Sequence, residues 1–116
     1  MAPIDIVFRS MDPSPAVEDY VRTWARRLER SFAELERCAV VFDLPHRRHR
    51  QGKIFHVNVH LTVPDRAIAI TRDPDLDHGH EDVYLAIGDA FRAARRSLHD
   101  YARVRRGDVK LHAAPA

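Results

Sequence analysis

Arginine is the residue type whose spacing in this 116-residue chain points to chemistry. In EDVYLAIGDAFRAARRSLHDYARVRRG, residues Glu81 to Gly107, the side chains Arg92, Arg95, Arg96, His99, Arg103 and Arg106 recur at helical spacing. Projected at 100° per residue they share a stripe about 100° wide. The same segment carries Val83, Ile87, Ala90, Phe91, Ala94, Leu98 and Tyr101 on a separate apolar stripe, as a core-facing helix requires. Asp82, Asp89 and Asp100 fall on another flank. Charge sorted in this way creates a local positive field. A second cluster lies in PHRRHRQGK, where Arg47, Arg48, Arg50 and Lys53 stand with His46 and His49 and no acid. Clustered cations without neutralising partners suit phosphate contacts, which need charge and reach but no fold-specific motif. Of the chain's Arg and Lys, 17 are Arg, and the planar guanidinium binds phosphate bidentately and stacks on bases.

Other chemistries find less support. His56 and His60 lie four apart on an expected strand, which puts them on one face. His78 and His80 stand beside Asp75 and Asp77. Histidine with carboxylate can bind zinc, but there is no helical HExxH and no cysteine pair, so no metal or other cofactor is expected. No nucleophile–base pair, P-loop or dinucleotide fingerprint is present, and an enzyme is not expected. The single cysteine, Cys38, sits among apolar residues and reads as a buried thiol. Net charge is +2 with a pI near 9.0, so total charge argues weakly for an anionic partner and its distribution carries the argument. No signal peptide and no apolar run of the ~20 residues a membrane span needs is evident, and a cytoplasmic location is the expectation.

The elements that must position these residues are legible in order. Ile4–Arg9 alternates Ile4, Ile6 and Phe8 against Asp5, Val7 and Arg9, a strand with one apolar face. Ser14 is a good N-cap and Pro15 a good first helical residue for a helix expected to run to about Arg37. Its apolar stripe is Val17, Val21, Trp24, Leu28, Phe32 and Leu35, with Arg22, Arg26, Arg30 and Arg37 lined up on the far side. Ala39–Leu44 reads as a second strand, pairing in parallel with the first through the helical crossover. Ile54–Val63 alternates strictly, Phe55, Val57, Val59, Leu61 and Val63 against His56, Asn58, His60 and Thr62. One covered face and one open face follow. Ala67–Arg72 is a fourth strand, and DPDLDHGH, residues 73–80, an acidic loop. Gly88 within the second helix suggests a close helix contact, and Gly107 a C-terminal cap. The order β-α-β-β-β-α predicts an α+β domain, a four-stranded mixed sheet with both helices on one face. Residues 1–110 form the expected domain and 111–116 a flexible tail.

SPAVEDYV at Ser14–Val21, the strand from Phe55 to Pro64 running into VPD, and HEDVYLAIGDAF at His80–Phe91 followed by ARRSLHDYARVRRGDVK resemble the ribosome hibernation-promoting factor and ribosome-associated inhibitor family, also called sigma-54 modulation or S30EA-like. The resemblance spans about Ile4 to Lys110. It implies the same fold and a non-enzymatic protein that binds ribosomal RNA of the small subunit in the mRNA–tRNA channel and silences translation under stress or in stationary phase. By position it implicates Arg92, Arg95, Arg96, His99, Arg103 and Arg106 of the second helix and Arg22, Arg26 and Arg30 of the first. The chain departs from the family in being Arg-rich rather than Lys-rich and in the size of the two loops at 45–53 and 73–80. DVKLH at 108–112 resembles the join to a cold-shock module, fused or separate. From residues alone, a general structured-RNA module of the double-stranded-RNA-domain type stands as the alternative, reading A-form shape through basic side chains. The Arg stripe is expected to act without displayed aromatics, fixing position and reading little sequence.

Overall fold

A computed structural model describes residues 2–43, 55–71 and 82–107. Alternating apolar residues make four strands, β1 (Ile4–Arg9), β2 (Arg37–Asp43), β3 (His56–Val63) and β4 (Arg66–Ile70). Two helices, α1 (Pro15–Ser31) and α2 (Val83–Arg106), complete the order β1-α1-β2-β3-β4-α2. The strands form one sheet in the order β1-β2-β3-β4. β1 and β2 are parallel, joined through α1, while β2–β3 and β3–β4 are antiparallel.

The register explains the two faces. Ile6 pairs with Val40, Val40 with Val59, and Val59 with Ile70, so one row of apolar side chains crosses the whole sheet. The next row on this face stacks Phe8 on Phe42 at 5.0 Å between ring centres. Both helices cover this face and close a core with Val21, Leu28, Ile87, Phe91 and Leu98. Cys38 is part of that core, and burial pushes its thiol up to about 12. The alternate rows, including Asp5, Ala39 and His60, lie on the opposite face, which no described element covers.

Helix ends follow local chemistry. Ser14 Oγ accepts the Val17 N–H at 3.3 Å, and Pro15 sits where its missing N–H costs nothing. Asp82 caps α2 by accepting from the Tyr84 N–H, and Gly107 ends it at φ 78. The first helix stops at Ser31, not near Arg37. Phe32 turns extended, and the Glu36 N–H donates to the Thr62 carbonyl at 2.8 Å, steering the chain into β2. Phe32 and Leu35 are still buried, and their spacing satisfies a helix and this turn alike. Arg37 consequently belongs to β2 and does not extend the Arg22–Arg26–Arg30 row; its Nε bonds Asp5 at 2.9 Å on the open face of the sheet.

Candidate nucleic-acid interface

The outer surface of the helix layer is built by two helices running in the same direction. Three ring contacts join them in sequence order, Tyr20 with Tyr84, Trp24 with Phe91, and Phe32 with His99. These pairs form an aromatic seam, and the cations lie along it and outside it.

On α2 the sequence contains six arginines against Asp89 and Asp100. Arg92, Arg95, Arg96, His99, Arg103 and Arg106 are all exposed, so the stripe expected from the sequence is a real surface. Arg95 and Arg96 have no ion-pair partner among the described residues. Arg92 reaches Asp89 at 2.8 Å and Arg103 reaches Asp100 at 3.5 Å. Such exposed pairs hold a guanidinium weakly, at about 0–1 kcal/mol, and a phosphate can take it over. His99 keeps an exposed imidazole while its ring meets Phe32 edge-on.

The arginines of α1 are less uniform. Arg22 is exposed and 3.9 Å from Glu18. Arg30 is exposed in the last turn, where it also complements the helix dipole. Arg26 is only half-exposed. It donates to the Ala2 carbonyl at 3.3 Å and to Glu29 at 3.0 Å. Glu29 in turn accepts the Ala2 N–H, which with Arg26 holds its carboxyl below the ordinary range. Arg26 thus ties α1 to the chain just ahead of β1, a structural employment that the spacing of the arginines did not reveal. Arg47, Arg48, Arg50 and Lys53 lie outside the described residues, as do His78, His80 and the segments at 73–80 and 108–116.

Sequence reasoning missed the aromatic part of this surface. Trp24, assigned by spacing to the core, is half-buried at its edge, and Tyr84 is 40% exposed. Arg27, absent from the expected set, places its guanidinium carbon 5.7 Å from the Trp24 ring centre, and Arg92 places its own at 6.0 Å. The available signal was the three-residue step from Trp24 to Arg27, which brings a cation beside a ring on one helical face. The Arg stripe is therefore not free of displayed aromatics. Near the far end of α2, Arg66 and Arg105 both pack on buried Tyr101, and Arg105 donates to its hydroxyl at 3.0 Å. The Arg66 contact fastens α2 to β4.

Gly88 also reads differently. A Cβ there would meet the Arg92 guanidinium at 3.1 Å, so its close neighbour is a side chain of its own helix rather than the other helix. Among the described residues, no group of three or more His, Cys, Asp or Glu is placed to hold a metal. Among the same residues, no helix is long and apolar enough to cross a membrane.

The fold is shared with solved structures. The N-terminal domain of Protein Y from Thermus thermophilus superposes with a TM-score of 0.67 at 20% identity, over 87% of this chain and 99% of that one. A ribosomal subunit interface protein from Coxiella burnetii gives 0.68 at 16% identity, over 86% and 97%. No curated protein sequence matches at a significant level. The sequence does match the profile of the sigma 54 modulation protein / S30EA ribosomal protein family across residues 4–106, nearly the whole domain. With the β-α-β-β-β-α order in place and the match spanning every strand and helix, the chain belongs to the sigma-54 modulation / S30EA ribosomal protein family.

Proposed function

We propose that this protein is a ribosome-associated translation inhibitor of the hibernation type, binding small-subunit ribosomal RNA through the outer surface of its helix layer. The observation that carries the reading is the α2 stripe, where Arg95 and Arg96 are exposed with no acid paired to them among the described residues and further arginines flank them. A helix that buries one face and loads the other with guanidinium groups is built to meet a polyanion. Family membership supplies the ribosome as the place where that polyanion is found, and the likeness to a ribosomal subunit interface protein agrees with it. On this reading the protein occupies the mRNA–tRNA channel in stressed or stationary cells, works in the cytoplasm, and acts by occlusion rather than by catalysis.

Sedimentation through a sucrose gradient tests the proposal. The purified protein, mixed with small subunits, should travel with them at low salt and dissociate steeply as salt rises, because several phosphate contacts release several counterions. It should also lower translation in a cell-free system. Equal affinity for naked duplex RNA and for assembled subunits would instead identify a general reader of A-form shape.

A further inference from the structure

We infer that the N-terminal half of the helix seam is a stacking site for an unpaired nucleobase, built on Trp24, Tyr20 and Tyr84 and flanked by Arg27 and Arg92. This deepens the preceding reading and rests on its RNA-binding part.

Trp24 is held in a fixed orientation. It stacks on the fully buried Phe91 at 5.7 Å with only 15° between the ring planes. The indole nevertheless remains partly exposed at the surface of the seam. Towards the N-termini, one turn along α1 and two along α2, Tyr20 meets Tyr84 edge-to-face at 5.0 Å, and Tyr84 stays 40% exposed. Part of each ring is thus left open beside the cations rather than sealed beneath them. Gly88 lies between Tyr84 and Arg92 on α2. With no side chain of its own, it lets the Arg92 guanidinium fold down towards the helix and Trp24. Arg27 approaches the same indole from α1.

The chemistry of this group selects the ligand. An apolar peptide would satisfy the rings but would strand two guanidinium groups and the neighbouring Arg95 and Arg96. A duplex would satisfy the charges, but its bases already stack on one another and present no free face. An unpaired nucleotide satisfies both, with its base on a ring and its phosphate on an arginine. Base-on-aromatic stacking is stronger than an exposed cation–π contact, so an incoming base can displace a guanidinium from Trp24. The displaced arginine is then released beside that nucleotide's own phosphate.

Trp24 is the only tryptophan in the chain, so its emission reports on the site directly. Three probes of equal length separate the terms: a uridine dodecamer, an abasic dodecamer and an RNA duplex. The uridine strand should quench Trp24, whereas the abasic strand and the duplex should bind with little quenching. Equal quenching by the abasic strand would overturn the stacking site. In anisotropy titrations with labelled uridine dodecamer, Trp24→Leu and, separately, Tyr84→Ala should weaken binding by about 5- to 20-fold, and Trp24→Phe should restore most of it. Circular dichroism checks that each variant is folded, and Tyr84→Ala removes an exposed ring should Trp24→Leu unfold. Unchanged binding by a folded variant at each position would also overturn the inference. Co-sedimentation of wild-type protein with small subunits, without quenching by uridine, would remove the stacking site and leave the ribosomal reading intact. Quenching without co-sedimentation would do the reverse.

Discussion

The helix surface and the open face of the sheet carry similar ingredients in opposite arrangements. On the sheet, Asp5 and Asp43 balance Arg9 and Arg37, and Arg37 is bonded to Asp5 at 2.9 Å. His56, Asn58, His60 and Thr62 of β3 share this face with small apolar residues such as Ala39 and Ala69. On the helices the cations outnumber the acids, and those of α2 other than Arg105 gather on one stripe. A net charge of +2 describes neither face. The contrast shows that the positive field comes from where the charges sit: acids and bases matched in number on the open face of the sheet, bases in excess on the helices.

Charge reversal on the two faces breaks or confirms this contrast with the largest expected effect. Replacing Arg92, Arg96 and Arg103 together by Glu should abolish co-sedimentation with small subunits and relieve inhibition of cell-free translation. Arg9→Glu with Arg37→Glu should leave both nearly unchanged. Stability measured by urea unfolding should fall by no more than about 1 kcal/mol in the helix variant, because its three side chains are exposed and the ion pairs of Arg92 and Arg103 are weak. A folded triple variant that still binds would show that α2 is not the contact surface, and a sheet variant that loses binding would invert the comparison.

A control for these reversals should remove the helix layer's support without touching its charge. Leu28 is 3% exposed and packs in the core beneath α1. Leu28→Ala should cost roughly 2–5 kcal/mol in urea unfolding, from lost apolar burial and the cavity left behind. Where it remains folded, its affinity for subunits should match wild type. A loss of affinity in a fully folded Leu28→Ala protein would mean that precise helix packing, and not charge alone, sets the binding surface.

The same two layers differ in how far the sequence revealed them. The sheet was legible because alternation over β1 and β3 has a period of two that fixes which residues face the core, and Val57, Val59, Leu61 and Val63 are all buried. Ser14 and Gly107 marked helix ends through capping chemistry that acts within a few residues. The end of α1 was misplaced because Phe32 and Leu35 keep helical spacing after the helix has ended, and the bond from Glu36 to Thr62 that redirects the chain is a tertiary contact. The α2 stripe was legible as a surface, since a single helix fixes its own faces. The roles within it were not. Whether an arginine is occupied depends on atoms far along the chain, as with Arg26 on Ala2, 24 residues away. Trp24 was assigned to the core because a helical wheel gives direction without depth. The depth at which the indole sits is set by Phe91, on another helix.

The smallest expected effect tests how the helix surface is tuned. Gly88 costs α2 up to about 1 kcal/mol relative to alanine. No backbone atom outside α2 and no core side chain stands nearest a new Cβ there; the Arg92 guanidinium does, at 3.1 Å. Arg92 is a long side chain, 53% exposed, and can shift by a few tenths of an ångström. Gly88→Ala should therefore stabilise the fold by about 0.5–1 kcal/mol, read as a higher urea midpoint with an unchanged slope. It should also lift Arg92 from Trp24 and alter the indole emission of the free protein. If stability falls instead, the contact between Arg92 and Trp24 is held more tightly than an exposed cation–π pair allows. If stability rises while the emission does not change, Gly88 is not what lets Arg92 lie down, and the aromatic end of the seam owes its arrangement to Asp89 and Arg27.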